Sequence, residues 1–344
     1  MRRSLVIGLV LAVALPAAAL AAVRLRQEQC VAPARGCTRA VAVGRPTGIA
    51  ASPDGRTLVV RNGVGSLGSL GVFTRDRRNG KLRQLQCVAR NVRRCADGRG
   101  LETPSAIAFS PDGRSVYVTA QNGRSVGIYR RLAGGKLVSR GSVGHLMHPV
   151  GVAVSPDGGS VYVGGDRLWV FARASNGSLK LLQSQPDGGR VAVAPDGRDV
   201  YAANGGGRHG TLATYTRAPD GRLQLAGVLD ETSTQGLEQP AQLAFGRDGS
   251  LYVAATVSGA ITRYTRSADG TLSLSGIVRG LPRLFGLDAS GPNRVYAAYG
   301  GGIAELTGAL RRLAVAKVPN ANGVVTLGTH VYATSQGRIT VLAH

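Results

Sequence analysis

One motif returns seven times along this chain, and it constrains the fold more than any other feature. The copies read "GIAASPDGRTLVV", "AIAFSPDGRSVYV", "GVAVSPDGGSVYV", "RVAVAPDGRDVYA", "QLAFGRDGSLYVA", "GLDASGPNRVYAA" and "GVVTLGTHVYATS", centred on Val59, Tyr117, Tyr162, Tyr201, Tyr252, Tyr296 and Tyr332. Spacings of 36 to 58 residues between those centres are the periods of a propeller or a comparable array. Within a copy, a short apolar strand meets a tight turn and then a second, β-branched and aromatic strand. A third strand follows ("LGVFTR", "VGIYRR", "LWVFAR", "LATYTR", "ITRYTR"). Next come a turn such as "RNGK", "SNGS" or "PDGR" and a fourth strand that begins with Leu. Asn-Gly and Asp-Gly between such runs mark hairpins, because a type I′ turn needs positive φ at both central residues. Four antiparallel strands in each of seven copies predict an all-β, seven-bladed β-propeller. The carboxylates Asp54, Asp112, Asp157 and Asp196 belong to the "PDG" turns and read as turn formers, since Asp bonds its own backbone two residues on.

The last copy ends after its third strand, "GRITVLAH", whereas "RLRQEQCVA" (24–32) near the start repeats the fourth strand "KLRQLQCVA" (81–89) with no blade before it. The N-terminal segment is therefore expected to complete the last blade, 24–31 joining the blade begun by 321–344. An open ring would leave a strand edge unpaired. Ahead of it, "MRR", the apolar run "SLVIGLVLAVALPAAAL" and Ala19-Leu20-Ala21 predict a secretory leader over 1–21 with a small-x-small cleavage site. The expectation is then one domain, 22–344, exported and without a membrane span after cleavage. A closed ring needs no second copy, so a monomer is expected.

Cys30 and Cys37 follow one copy of the fourth strand, and Cys87 and Cys95 follow the other. The matched placement favours the pairings Cys30–Cys37 and Cys87–Cys95, and export favours their oxidation. Metal ligation is the rival reading, but neither pair has a further Cys or a His close by in sequence. The formal charge is +23, with only four lysines among the basic residues. A strongly cationic exported protein is expected to associate with polyanions in a salt-dependent way, or simply to carry a solvated basic surface. No Lys/Arg-rich recognition helix or aromatic ribonucleoprotein motif points to sequence-specific nucleic acid.

The stretch "SPDGRSVYVTAQNG" followed by "VGIYRRLAGGKL" resembles exported bacterial propellers of the YVTN type. It also resembles the lactonase-type seven-bladed propellers, which include bacterial 6-phosphogluconolactonase. The resemblance runs through nearly all of the mature chain and is strongest over 47–276. "QCVARNVRRCADGRGLETPSAIAFSPDG" resembles a cysteine-loop repeat of exported members. The resemblance implies the propeller fold and, as an activity, lactone hydrolysis. The Gly-His and Trp-Asp signatures of WD-repeat propellers are missing.

Turns between first and second strands, and between third and fourth, share one face of a propeller, and here they are short. Chain length has gone to the opposite face, into the cysteine loops, "LDETSTQGLEQP" (229–240) and "NGGGRHG" (204–210). Long loops on a rigid scaffold carry binding function, so the channel mouth on that face is the expected site. Arg45, Glu102, His148, Asp187, Glu238 and Arg283 precede the first strands and should ring it. Asn62, Asn122, Asp166, Arg208 and His209 should join from the second-to-third turns. For a lactonase, His148 or Glu102 is the candidate base. Arg45, Arg208 and Arg283 are the candidates to hold an anionic substrate, with Asn122, His209 and Glu238 as further contacts. Gly123-Arg124-Ser125-Val126-Gly127 fits G-x-S-x-G but falls in a hairpin, whereas that elbow needs a strand-to-helix turn. The glycines of 63–71 lack G-K-[ST]. Five glutamates in all give little support to a calcium site of inward carboxylates, and no other cofactor is indicated. Two functions stay open: an exported lactonase-like hydrolase acting at the channel mouth, or a non-catalytic scaffold binding an anionic envelope polymer, glycan or protein.

Overall fold

In a computed structural model of the protein the described residues are 25–41, 43–63, 68–205, 210–230 and 236–344; the expected leader lies outside them. They form seven sheets and no helix, so no helix is long and apolar enough to cross a membrane. Each sheet is one copy of the repeat, taken as blades 1 to 7 from the copy at Val59 onward. The first strands, from Pro46–Ala51 in blade 1 to Gly323–Leu327 in blade 7, touch one another around a closed ring and surround a central channel.

Burial follows from position in the blade. The second strand of blade 2, Ser115–Ala120, is buried throughout. The fourth, Leu137–Val143, alternates between buried or half-buried and exposed residues, because its outer edge meets solvent. The apolar clusters lie between blades: Tyr117, Val126 and Ile128 of blade 2 pack with Val161, Trp169 and Phe171 of blade 3. Removing these faces from water is the dominant stabilising term and ties each blade to its neighbours.

A polar staple repeats at the seams. The second-strand hydroxyls of Tyr117, Tyr162, Tyr201 and Tyr332 donate to the carbonyls of Gly177, Gly221, Gly270 and Gly80, each in the third-to-fourth turn of the next blade, at 2.8–3.0 Å. Glycine is required in these turns twice over. Gly221 has φ +90°, and a Cβ there would lie 2.1 Å from Ser160 Oγ across the seam. The arginine ending the next blade's third strand then reaches back to the same tyrosine and to the turn aspartate. Arg217 donates to Tyr162 Oη (2.8 Å) and Asp157 (2.7 Å), and Arg173 to Tyr117 Oη (2.9 Å) and Asp112 (3.2 Å). Arg131 pairs with Asp54, and Arg266 with Asp196, both at 2.8 Å. The aspartates still cap their own turns: Asp54 accepts from Arg56 N, Asp112 from Arg114 N and Asp157 from Gly159 N. In blade 7 the arginine's place falls to His344, whose Nε2 lies 3.0 Å from Tyr296 Oη.

The ring closes between the two ends of the chain. The strand Arg26–Ala32 pairs antiparallel with Arg338–Ala343, from Arg26 opposite Ala343 to Val31 opposite Ile339. It also binds blade 1, because the Gln29 amide donates to Leu82 O (2.9 Å) and accepts from Leu82 N (2.7 Å). Gln86 makes the same double bond to Leu137 across the next seam. Disulfides join Cys30 to Cys37 and Cys87 to Cys95. Each returns the chain so that a two-residue strand, Thr38–Arg39 or Ala96–Asp97, adds in parallel to the outer edge of blade 7 or blade 1. Those two edges are thereby covered.

Candidate functional site

Each first strand contributes one aliphatic residue to the channel wall, Ile49, Ile107, Val152, Val191, Leu243, Leu287 and Val324, with its side chain packed in or against an apolar cluster between blades. One residue nearer the long-loop face, the equivalent positions are Gly48, Ala106, Gly151, Arg190, Gln242, Gly286 and Gly323. Small residues dominate this ring because the strands crowd there: a Cβ on Gly286 would lie 2.9 Å from Gly323 Cα, and one on Gly323 would lie 2.9 Å from Gly48 Cα. Arg190 is the large, charged exception. The second-strand residues opposite that ring are Arg61, Thr119, Gly164, Ala203, Ala254, Ala298 and Thr334, and Arg61 is the exception among them. Its side chain passes over Gly48, where a Cβ would lie 2.5 Å from Arg61 Nε. Glycine at 48 is what admits the guanidinium to the channel.

Arg61 and Arg190 both line a cavity of about 100 Å³, with Ser105, Gln242, Phe285 and Asn322 among its walls. Arg61 Nη1 donates to Thr47 Oγ1 (2.8 Å) and Pro104 O (3.0 Å). Arg190 Nη1 donates to Val150 O (2.5 Å), with Ser105 O at 3.5 Å. The two side chains, from blades 1 and 4, therefore converge on consecutive carbonyls of blade 2 and on blade 3. Each is anchored through Nη1 alone, so its Nε–Nη2 edge carries no hydrogen-bond partner among the described residues. That edge makes two parallel bonds to a carboxylate or phosphate. No carboxylate among the described residues pairs with either arginine. Burial first, and the charge of Arg190 second, pull the Arg61 guanidinium well below its ordinary value, to about 9. Burial pulls Arg190 down to about 10. Both remain cationic at neutral pH, in a place where charge is poorly solvated.

No protein-family model matches the sequence, and no curated protein does. Solved structures do resemble it. A candidate 6-phosphogluconolactonase of Bacteroides fragilis superposes with a TM-score of 0.69 at 17% identity, over 82% of this chain and 87% of that one. The periplasmic gluconolactonase PpgL of Pseudomonas aeruginosa gives 0.65 at 18%, over 87% and 88%. This chain has the fold of the lactonase-type seven-bladed propellers. Virginiamycin B lyase of Staphylococcus aureus shares that fold too, at a TM-score of 0.62 and 13% identity, over 93% and 99%. Identities this low speak for the architecture alone, so the chemistry of this chain rests on its own residues.

Those of the expected mouth residues that precede the first strands stand one turn outside the channel wall. His148 and Arg283 have φ of +42° and +54°, and Thr103 and Gln239, beside Glu102 and Glu238, have +56° and +54°. A left-handed residue three positions before the Gly48-type position turns the chain as it enters the first strand. That turn sets the rim apart from the channel wall. Arg45 is exposed and lines an adjacent cleft that shares Asn322 with the channel cavity. Glu102 is paired with Arg90 at 3.2 Å beside the Cys87–Cys95 loop. Arg283 donates to Asn320 at 2.7 Å, and Asn122 is exposed on its turn. The Asp187 carbonyl accepts from Tyr215 Oη (3.2 Å), and that of Glu238 accepts from Val257 N (3.2 Å). Asn62 is buried within blade 1, while Arg208 and His209 lie outside the described residues. His148 and Asp166 do meet: Nδ1 lies 3.1 Å from the carboxylate, with the two side chains 61% and 51% exposed. His148 stands two residues before Val150, whose carbonyl anchors Arg190. Among the described residues no three His, Cys, Asp or Glu side chains gather as a metal site.

Loop length singles out the rim of that face and passes over the layer of the channel beneath it. Arg61 and Arg190 have a signal of their own, visible once the seven copies are aligned: each is the one large cation in a column of mostly small residues.

Proposed function

We propose that this is an exported propeller that binds a small organic anion in its central channel, with Arg61 and Arg190 as the anion's ligands. One observation carries the reading: two part-buried guanidinia meet in one cavity, each held by a single nitrogen, with no carboxylate to neutralise them. A buried cation without a partner costs several kcal/mol, and an anion bound across both Nε–Nη2 edges offsets that cost with charge-assisted bonds. The cavity admits a group the size of a carboxylate or phosphate, and a polymer would engage only the outer surface. The two disulfides accord with an oxidising, extracytoplasmic setting. Calorimetric titration of the mature protein with small carboxylates and phosphate at low ionic strength tests the reading. Saturable binding, lost in Arg61→Met and in Arg190→Met, is the expected result. Binding that survives both substitutions refutes it.

Lactone hydrolysis is the second reading, favoured by the His148–Asp166 pair. A carboxylate on Nδ1 fixes the ring and leaves Nε2 to take a proton from water. Attack of that water on a lactone carbonyl breaks the acyl C–O bond and releases a hydroxy acid. The new carboxylate is a group that Arg190 and Arg61 are arranged to hold. Acid release from a lactone panel, followed by pH-stat and abolished in His148→Ala, supports this reading. A flat trace leaves the protein as a binder.

A further inference from the structure

We propose that the anion is an aromatic carboxylate, its carboxylate held between Arg61 and Arg190 and its ring lying against Phe285. The inference rests on the reading of the channel as an anion site and names the class of ligand. Phe285 lines the same cavity, and at 46% exposure it is a large apolar side chain left open to solvent. The equivalent residues of the other blades are Thr47, Ser105, Val150, Gly189, Ala241 and Asn322, so it is the single aromatic in its column, just as Arg61 and Arg190 are the cations in theirs. Position completes the argument. The guanidinia converge on carbonyls of blades 2 and 3, and in a ring of seven the blade directly across from that seam is blade 6, which carries Phe285. A ligand with its charged end at the arginines therefore directs its body toward this ring.

Phe285 decides among anions. The rest of the wall is mixed, aliphatic at Ile49, Ile107 and Val152 and polar at Ser105, Gln242 and Asn322. A carboxylate places both oxygens on the arginine edges and turns a carbon body toward Phe285, where the hydroxyls of a sugar acid would lose water for no apolar gain. A flat ring adds face or edge contact with Phe285.

The test is calorimetric titration of the mature protein with benzoate, acetate, gluconate and inorganic phosphate at low ionic strength, repeated on Phe285→Ala, Phe285→Leu and Arg61→Met. The expected result is benzoate binding at least about tenfold more tightly than the other three. Phe285→Ala should reduce that preference to about twofold with acetate unchanged, Phe285→Leu should fall between, and Arg61→Met should lose all binding. Gluconate or phosphate matching benzoate, or an unchanged benzoate-to-acetate ratio in Phe285→Ala, overturns the aromatic assignment while the anion site stands. If no anion binds the unmodified protein, or if Arg61→Met binds as well, the channel reading itself falls and this inference with it.

Discussion

Replacing Arg61 by methionine should make the ligand-free protein more stable and the ligand-saturated protein less so. Burial and Arg190 lower the guanidinium from its ordinary value to about 9, so keeping it charged at neutral pH costs roughly 3–5 kcal/mol at about 1.4 kcal/mol per pKa unit. Its hydrogen bonds to Thr47 and Pro104 return roughly 1–3 kcal/mol. Methionine keeps the stem over Gly48 and removes the charge, which leaves a net gain of about 2 kcal/mol. In a domain of this size that raises the melting temperature by roughly 4 °C. Thermal unfolding in dilute Tris chloride measures it. The same melts in a binding anion at about a hundred times its Kd should lift the unmodified protein by about 3 kcal/mol and leave the variant in place, so the two curves exchange order. The pH dependence has a definite sign. A basic group whose folded pKa is depressed takes up more protons in the unfolded chain, so stability rises as pH climbs through about 9 toward the ordinary guanidinium value. That rise should shrink in Arg61→Met. A variant that melts below the unmodified protein without ligand would show that Arg61 is a structural brace, and the reasoning would fail.

The staples give a second set of expectations. Asp157→Asn strands the buried Arg217 head, 9% exposed, and should cost about 1–3 kcal/mol. Asp220→Asn breaks the pair with Arg222, in which both partners are more than half exposed, and should change chemical denaturation by less than about 0.5 kcal/mol. Although burial opposes ionisation, Asp54 is held at about 2 by Ser52, Arg56 and Arg131, and Asp112, Asp157 and Asp196 are lowered by the same kind of contact. A depressed carboxylate stabilises the fold above its unfolded value and loses that contribution as pH falls through the folded one. Denaturation midpoints should therefore drop between about pH 4 and pH 2, less steeply in Arg131→Met. The double substitution Cys87→Ser with Cys95→Ser opens a loop closed over 8 residues and should lower the unfolding free energy by about 2.5 kcal/mol.

The architecture could be read in advance because a propeller is written in turns. "SPDG", "NG" and "DG" recur where φ must be positive or a side chain must cap a turn, and seven four-stranded hairpin sets at this period match the blades of a propeller. The closing strand was legible for a related reason: "RLRQEQCVA" repeats a strand that elsewhere has a defined place, and Gln29 makes the contact to Leu82 that Gln86 makes to Leu137. The staples were half visible. The turn aspartates stood out, but nothing local shows that Asp157 also faces Arg217, 60 residues on. The site was the least accessible part. Rim residues such as His148 immediately precede the first strands, so loop length singles them out as ringing the mouth, and the left-handed turn there falls on a non-glycine residue that gives no local sign of it. Arg61 sits inside a strand that otherwise reads as core, and only Gly48, paired with it across the blade, lets its head leave that core.

In a repeat protein, positions required by the fold recur in every copy, and a function confined to one place needs positions that do not recur. A ring of seven equivalent side chains around a channel offers seven equal partners to a ligand on the axis, and seven arginines at the Arg190 level would repel one another in a space that holds about 100 Å³. Binding an asymmetric ligand in one orientation requires breaking the ring. This chain breaks it three times in adjacent layers: Arg190 among mostly small residues, Arg61 among small residues in the strand behind, and Phe285 one residue nearer the long-loop face across from both. Each departure is unfavourable for an empty fold, as two unpaired cations and one open aromatic side chain. A ligand carrying one carboxylate and one ring offsets all three at once, which is the physical reason to read them as one site.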